Sequence, residues 1–248
     1  MSSKKDYVFG LHSVEALLSS QPERVVRLCV LKDRQDQRLE AIVDLAEKAN
    51  ITIEYVPRKA LDRMAHEANH QGVMAFCQSI ESYSEDDLQA LLEELNEPPF
   101  LLILDGVQDP HNLGACFRSA DAAGIHAIIA PKDKSVGLTP VVSKVASGAA
   151  ETVPFVQVTN LARTLEMLKE MGVWVYGAAG EAEQTLYQAD LRGPVAIVLG
   201  SEGEGLRRLT RERCDVLLKI PMHGSVSSLN VSVATGIFLF EALRQRRV

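Results

Sequence analysis

The feature that most constrains the fold is a series of short, almost wholly apolar segments in the last 150 residues, which alternate with stretches of helical periodicity. These segments lie at 100–105, 126–130, 153–158, 173–178, 195–200 and 216–221. Strands that are apolar throughout are buried on both faces, as in a parallel sheet between two layers of helices. The sequence therefore predicts an α/β domain over 99–248. Such sheets bind ligands beyond the carboxyl ends of their strands, so the loops there are the candidate functional segments.

A second, smaller α/β domain is predicted over residues 1–80. Its alternating helical and strand patterns cover 11–20, 25–31, 38–50, 51–56 and 72–78. His66, His70 and Gln71 lie close together, but without a fourth ligand they do not predict a metal site. Because no catalytic cluster is visible, this domain is expected to bind a substrate rather than to catalyse.

The acidic residues are unevenly placed along the chain. Net charge is −7, which argues against a nucleic-acid partner when the excess is spread over the surface. Residues 1–80 hold 11 Lys/Arg and 11 Asp/Glu, and residues 99–248 hold 15 of each. The whole excess lies in 81–98, with seven acids and no base. Both domains are therefore neutral, and an RNA partner stays possible.

Two features qualify this charge distribution. Segment 81–98 predicts a short acidic helix capped by Ser84 and stopped by Pro98 and Pro99, on the connection between the domains. Four arginines follow the strand at 195–200 within seven residues, and they form either a basic RNA-binding face or an ordinary solvated helix face. They are Arg207, Arg208, Arg211 and Arg213.

Composition excludes several classes of protein. With 46% hydrophobic and 24% charged residues the chain has the composition of a soluble globular protein. It shows neither a signal-type apolar stretch at the start nor the roughly 20 apolar residues of a membrane span. Its four cysteines form no CxxC pair, so neither a zinc site nor a disulfide framework is predicted. A cytoplasmic location is expected.

The first candidate loop follows the strand at 100–105. Asn112 is predicted to cap a helix that runs through small residues to Gly124. A helix of such small residues allows another backbone to approach closely. Arg118, in the middle of this helix, would project a long cation into whatever approaches; the alternative is that Asn112 is a plain cap and Arg118 a surface ion-pair partner.

The second candidate loop carries Gly200, Gly203 and Gly205 after a strand. Their order is GxxGxG, whereas the dinucleotide-binding fingerprint is GxGxxG. The acids Glu202 and Glu204 would repel a pyrophosphate and suit hydroxyl or cationic groups. A nucleotide-dependent oxidoreductase is therefore disfavoured.

The third candidate loop follows a strand predicted to end at Ile220 and Pro221. It contains Gly224 and three serines, and Asn230 can cap a final helix that runs to about Arg244. The apolar side chains at the loop's two ends could sandwich a flat ring. These side chains belong to Ile220, Met222 and Leu229. Alone, such a Ser-rich turn is weak evidence, since most only satisfy local backbone.

Taken together, the three loops resemble the motifs of the SPOUT methyltransferase superfamily, in its TrmH branch of RNA ribose methyltransferases. The matching segments, in order, are DPHNLGACFRSADAAG (109–124), LGSEGEGL (199–206) and IPMHGSVSSLNVSVATGIFLFEA (220–242). The N-terminal segments YVFGLHSVEALL and HQGVMA resemble the ribosomal-protein-like substrate-binding domain that precedes the catalytic domain in part of this family.

The resemblance implies a fold, a reaction and a set of site residues. The fold is a SPOUT-type parallel sheet with a deep trefoil knot, and the protein works as a homodimer. The reaction is S-adenosylmethionine-dependent 2'-O-methylation of a guanosine ribose in 23S ribosomal RNA, without metal, membrane or DNA. Cofactor contacts map to Gly200, Ile220 and Leu229. Catalytic and substrate-positioning roles map to Asn112, Arg118, Glu202, Ser228 and Asn230.

Two questions stay open on the sequence alone. The group that takes the hydroxyl proton is either Arg118, whose guanidinium hardly deprotonates, or Glu202, an acceptor of ordinary acidity that could instead orient its neighbours. The alternative functions are ribose methylation of transfer RNA and a ribosome-assembly protein that binds RNA without turnover.

Overall fold

The structure, a computed structural model, describes residues 5–32, 36–65, 69–78 and 83–247, so that His66 lies outside it. Its strands are β1 Lys5–Phe9, β2 Val25–Leu31, β3 Thr52–Val56, β4 Val73–Gln78, β5 Phe100–Asp105, β6 Ala127–Pro131, β7 Phe155–Val158, β8 Trp174–Ala178, β9 Gln184–Thr185, β10 Val195–Gly200 and β11 Val216–Lys219. Its α-helices are α1 Leu11–Ser20, α2 Gln37–Lys48, α3 Arg58–Met64, α4 Glu85–Glu94, α5 Pro110–Ala123, α6 Pro140–Ala146, α7 Ala149–Thr152, α8 Leu161–Glu170, α9 Arg208–Arg213 and α10 Val231–Arg246.

Contacts within the chain divide it into two compact units. The first unit comprises residues 1–81 and 138–152, and the second comprises residues 82–137 and 153–248. Segment 138–152 forms the connection between β6 and β7 of the second unit, yet it packs within the first. The sequence-based division at 81–98 did not anticipate this grouping.

The first unit is built on a four-stranded sheet in the order β1-β4-β2-β3. β4 is antiparallel to both of its neighbours, and β2 and β3 are parallel. Helices α1 and α2 bury one face of this sheet, with Leu17, Leu28 and Ile42 in the core. The alternation of helices and strands predicted for this region is confirmed, and α1 and β2 match their predicted bounds residue for residue.

The cluster around His70 and Gln71 has a structural explanation. The Gln71 side-chain oxygen accepts the first N–H of α1, that of Leu11, at 3.0 Å. The buried His70 ring accepts the Gly72 N–H at Nδ1 and meets the Asp62 carboxylate at Nε2, 2.9 Å away. These contacts tie α1 to the turn before β4. Among the described residues no group of three His, Cys, Asp or Glu is arranged to hold a metal ion.

A buried ion pair attaches segment 138–152 to the rest of the first unit. Arg24 Nη1 lies 3.0 Å from Glu151 Oε2, and the side chains are 14% and 1% exposed. Arg24 also donates to the Gln78 carbonyl, and the Glu151 carbonyl accepts from Gln21 Nε2 at 3.0 Å. The pair is therefore part of a hydrogen-bonded network that links α7 to β4 and to the end of α1.

The second unit is built on a seven-stranded sheet in the order β7-β6-β5-β10-β8-β11-β9. Every strand pair in it is parallel, which confirms the parallel sheet predicted from the apolar segments. The predicted end of the last strand at Pro221 is wrong, since β11 ends at Lys219. The pairing of β11 with its neighbouring strands ends there, because β8 ends opposite Leu218 and β9 is only two residues long.

Three of the four predicted helix caps agree with the structure, and α4 ends at Glu94, before the prolines predicted to stop it. Ser84 caps α4 in a capping box with Asp87, Gly124 ends α5 in the left-handed conformation, and Asn230 caps α10. The prediction that Asn112 caps α5 is wrong, because the cap is Asp109, whose carboxylate accepts the His111 N–H at 2.9 Å. Pro110, at the first helical position, fixes this earlier start.

No helix in the part of the chain that the structure describes has both the length and the apolar character needed to cross a membrane.

Arg24→Met should lower the free energy of unfolding by about 3 kcal/mol, since it removes a cation that faces the buried Glu151 carboxylate. Arg27→Met is the matched control, because the Arg27–Glu54 pair of the same unit is 38% and 41% exposed. Loss of that pair should cost about 1 kcal/mol or less. Urea unfolding of the two variants measures the difference, and equal losses would contradict the account.

Candidate active site

The first two candidate loops leave the sheet side by side. β5 and β10 are parallel neighbours, and their last residues, Asp105 and Gly200, are paired in register. The third loop follows β11 and leads into α10, which packs against both α5 and β10. The sheet therefore brings together three segments that are far apart in sequence.

Three of the predicted site residues form one hydrogen-bonded cluster. Asn112 Nδ2 donates to Glu202 Oε1 at 3.2 Å, and Asn230 Nδ2 donates to Asn112 Oδ1 at 3.0 Å. Asn230 Nδ2 also donates to Glu202 Oε1, which accepts the Val231 N–H as well, at 3.4 Å. One carboxylate oxygen thus receives donors from the first and third loops. We call Asn112, Glu202 and Asn230 the Asn–Glu–Asn cluster.

Asn230 has two roles that its position explains. Its Oδ1 accepts the Ser232 N–H at 2.9 Å, which caps α10, and its Nδ2 faces the other two members of the cluster. A cap residue is oriented by the helix that it begins. The Asn230 amide is therefore held by α10 before any substrate binds.

The second loop folds back on its own strand. Ser201 and Gly205 form an isolated β-bridge, and the Gly205 N–H donates to the Ser201 carbonyl at 3.0 Å. A Cβ atom at Gly200 would lie 2.0 Å from the Gly205 carbonyl carbon and oxygen. Only glycine fits at residue 200, because backbone occupies the space that a side chain would need.

A residue that sequence reasoning missed anchors the far end of this loop. Asp105 is buried, and its Oδ2 accepts the Arg207 N–H at 2.9 Å, while Oδ1 lies 3.5 Å from Arg207 Nε. Arg207 Nη2 reaches on to the Asp133 carbonyl at 3.3 Å. An acid that ends an otherwise wholly apolar strand was the available sequence signal.

The third loop is largely exposed and lacks regular structure. Across the described residues, the main chain of 220–229 makes no hydrogen bond with another main-chain group. Ile220 and Leu229 are half-buried, and Ser228 is exposed. The structure does not bring Ser228 into the Asn–Glu–Asn cluster. The loop offers backbone donors and acceptors that lack main-chain partners, beside apolar side chains.

Arg118 lies apart from the cluster. It is exposed, and it makes no hydrogen bond or ion pair with any residue that the structure describes. Six positions separate it from Asn112 on α5, so the two side chains project about 120° apart around the helix. The alternative of a surface ion-pair partner therefore has no support within the described chain.

The small residues of α5 do permit close approach of another helix, as the sequence predicts. α10 packs against α5, where Cys116 Sγ lies 3.3 Å from Thr235 Oγ1. A Cβ at Gly236 would lie 3.8 Å from Ser119 Oγ. Burial raises the pKa of the Cys116 thiol to about 11, so this cysteine is an uncharged packing residue at neutral pH.

The four clustered arginines are paired with acids. Arg207 faces Asp105, Arg208 pairs with Glu212 at 2.8 Å, and Arg213 pairs with Glu166 at 3.1 Å. Arg211 bonds to Glu181. Because an acid faces each guanidinium, these pairs favour an ordinary solvated helix face over a basic RNA-binding face.

Comparison with known proteins identifies a family for each part of the chain. Residues 99–240 match the SpoU rRNA Methylase family, and residues 7–83 match the RNA 2'-O ribose methyltransferase substrate binding family. The 23S rRNA (guanosine-2'-O-)-methyltransferase RlmB of Shewanella oneidensis is 60% identical over 244 residues, which covers 98% of this chain and 99% of that protein.

Two crystal structures extend the comparison to three dimensions. An RNA 2'-O ribose methyltransferase matches with a TM-score of 0.80 and 26% identity, covering 99% of this chain and 90% of that one. The SpoU methyltransferase AviRb from Streptomyces viridochromogenes, in complex with AdoMet, matches with a TM-score of 0.81 and 22% identity, covering 98% and 91%. This chain belongs to the SpoU rRNA methylase family.

Proposed function

We propose that this chain transfers the methyl group of S-adenosylmethionine to the 2'-hydroxyl of a guanosine in 23S ribosomal RNA. The Asn–Glu–Asn cluster carries the proposal, because it unites the three motifs of an RNA methylase at the carboxyl ends of β5 and β10. The near-complete match to RlmB at 60% identity supplies the substrate and the base. Ribosomal RNA as substrate makes the cytoplasm the proposed site of action.

The third loop suits the methyl donor. Main-chain groups of 220–229 that lack main-chain partners can bind the polar parts of S-adenosylmethionine, and the half-buried Ile220 and Leu229 can flank its adenine. Gly200 lets the second loop close against the strand from which it leaves. When bound, the donor supplies an activated methyl group on a sulfonium, and the protein holds and orients.

Glu202 is assigned the positioning of Asn112 and Asn230. Its Oε1 already accepts three hydrogen bonds, two of them from these amides. Ser228 and Asn230 are assigned to fix the loop and the ribose hydroxyl. Positioning of this kind can supply several kcal/mol of barrier reduction, since the hydroxyl oxygen has to lie in line with the bond that breaks.

Arg118 is assigned contact with the ribose or its adjacent phosphate. A guanidinium stays protonated near neutral pH, so it is suited to binding charge rather than to removing the hydroxyl proton. Its projection away from Asn112 agrees with a role in the active site of a second protomer.

A homodimer is proposed on α10. The side chains of Val233 and Phe240 are 52% and 48% exposed, and Ile237 between them is half-buried. Their spacing puts them on one helical stripe, opposite the buried Phe238 and Leu239. A second copy of this chain would cover the stripe.

The deep trefoil knot is likewise proposed, supported by insertion of the last strand between β8 and β9 rather than at the sheet edge.

The domains are assigned distinct tasks. Residues 1–80, with segment 138–152 packed among them, form the ribosomal-protein-like domain that grips the RNA. Segment 81–98 is the acidic linker, whose helix α4 packs in the core of the second unit, and the rest of 99–248 is the catalytic domain. Sequence-specific RNA recognition needs unstacked bases and wide backbone contact, more than one active-site cleft offers. The match of residues 7–83 to a substrate-binding family supports this division.

Arg118→Ala and Asn112→Ala should each lower methyl transfer by about 100-fold or more, since misplaced reacting groups cost that much. Binding of S-adenosylmethionine should stay within about twofold of the wild type. Transfer of a labelled methyl group to unmodified 23S rRNA measures activity, and calorimetry measures binding of S-adenosylmethionine. Arg163→Ala, which removes an exposed arginine bonded to Glu85, is the control with normal activity. Full activity of Arg118→Ala would refute its assignment.

Gly200→Ala should lower the affinity for S-adenosylmethionine at least tenfold, because its Cβ would displace the backbone at Gly205. Gly193→Ala is the matched control, since a Cβ there meets nothing within 4 Å. Calorimetric titration of both variants with S-adenosylmethionine measures the two affinities. Equal affinities would mean that closure of the second loop does not shape the donor site.

Phe240→Glu should convert the protein to a monomer, because burying a carboxylate in an apolar interface costs several kcal/mol. Tyr187→Glu alters a comparably exposed aromatic residue, 57% accessible against 48% for Phe240, and should leave the dimer intact. Sedimentation velocity separates the two states. A wild-type protein that sediments as a monomer would remove the dimer from the proposal.

A further inference from the structure

The sheet of the first unit carries a row of flat side chains on the face opposite α1 and α2. Arg27 of β2 is in register with Phe76 of β4, and its Cζ lies 4.2 Å from the centre of the Phe76 ring. Tyr7 of β1 is in register with Phe76 on the other side. We call Tyr7, Phe76 and Arg27 the flat row.

Part of this face is covered and part is open. Leu61 of α3 packs over Phe9, Cys29 and Met74, which are buried. The three members of the flat row are only half-buried, and the Arg27 side chain is 38% exposed. The flat row is therefore partly accessible beside a closed apolar core, with the guanidinium covering one face of the Phe76 ring.

Glu54 of β3 fixes the orientation of the guanidinium and cancels its charge. Arg27 Nη1 donates to both carboxylate oxygens, at 3.0 and 2.7 Å. A neutralised guanidinium attracts a phosphate weakly, but its plane remains available for stacking. The flat row therefore suits an uncharged ring better than an anion.

Cations lie at the far end of the same strands. Lys32 follows β2, and Arg58 and Lys59 begin α3 directly after β3; all three are exposed. From Arg27 to Lys32 the strand rises about 17 Å. Positive charge at this distance can meet phosphates further along an RNA strand whose base stacks on the exposed side of the Arg27 guanidinium.

We propose that the flat row is a platform on which an unpaired base of the RNA substrate stacks. The proposal rests on the proposed function and names residues through which the first unit grips RNA. Base stacking on aromatic rings and guanidinium planes contributes enough, for each base, to change affinity by about 5- to 100-fold.

The test uses the full chain and steady-state methylation of unmodified 23S rRNA. Arg27→Lys keeps the charge and removes the plane; Phe76→Leu keeps the apolar volume and removes the ring. Each should raise the KM for rRNA by about 5- to 100-fold. The kcat at saturating RNA and the affinity for S-adenosylmethionine should not change. Tyr55→Ala is the control, since Tyr55 is an exposed aromatic on the opposite face of β3 and should leave KM at its wild-type value.

The outcomes separate the stacking platform from the proposed function. Wild-type KM in Arg27→Lys would overturn the platform, because an ammonium replaces a guanidinium in a phosphate contact but not in a stack. Thermal melting of Phe76→Leu checks that its fold is intact, and Arg27→Lys decides the matter if that fold is lost. Failure of the wild-type protein to methylate 23S rRNA would instead refute the proposed function.

Discussion

The candidate site depends on one carboxylate oxygen. Glu202 Oε1 receives hydrogens from Asn112 on α5 and from Asn230 and Val231 at the start of α10. Hydrogen bonds to an ionised group contribute about 1.5–3 kcal/mol each when buried, and less at an exposed site such as this one. Glu202 can serve three donors only because its loop folds back at Gly200 and is held at its far end by Asp105. The geometry of the cluster is therefore set by the backbone of the second loop as well as by its side chains.

Packing of two helices sets the other half of that geometry. Asn112 and Asn230 come within 3.0 Å because α5 and α10 approach closely along small residues, where Cys116 meets Thr235 and Gly236 lies near Ser119. A larger side chain at this contact would move α10, and its cap residue Asn230 would move with it. The small residues of the first motif thus act on the site through helix position rather than through chemistry of their own.

Most features that depend on local sequence patterns were predicted correctly. Features that depend on contacts between distant parts of the chain were not. Apolar runs located the strands correctly, because a strand buried on both faces is apolar along nearly its whole length. Asp109 rather than Asn112 caps α5, since the proline that follows Asp109 starts the helix earlier than the hydrophobic pattern suggests. β11 stops at Lys219 because its neighbouring strands end there. The sequence of β11 itself carries no information on where its neighbours end. Segment 138–152 joins the first unit through contacts between residues far apart in the chain, such as the Arg24–Glu151 pair, whose partners are 127 residues apart.

Electrostatics explains how a chain of net charge −7 can act on RNA. The excess acid sits in 81–98, and the most obvious basic cluster, Arg207 to Arg213, is neutralised by acids. A general positive field is therefore not the source of affinity. The proposed RNA contacts are instead individually placed groups: Arg118, without an ion-pair partner among the described residues, and the Arg27 guanidinium, held in place by Glu54. Binding built from such contacts depends on the shape of the RNA and on its unpaired bases, so discrimination between RNAs comes from structure more than from charge.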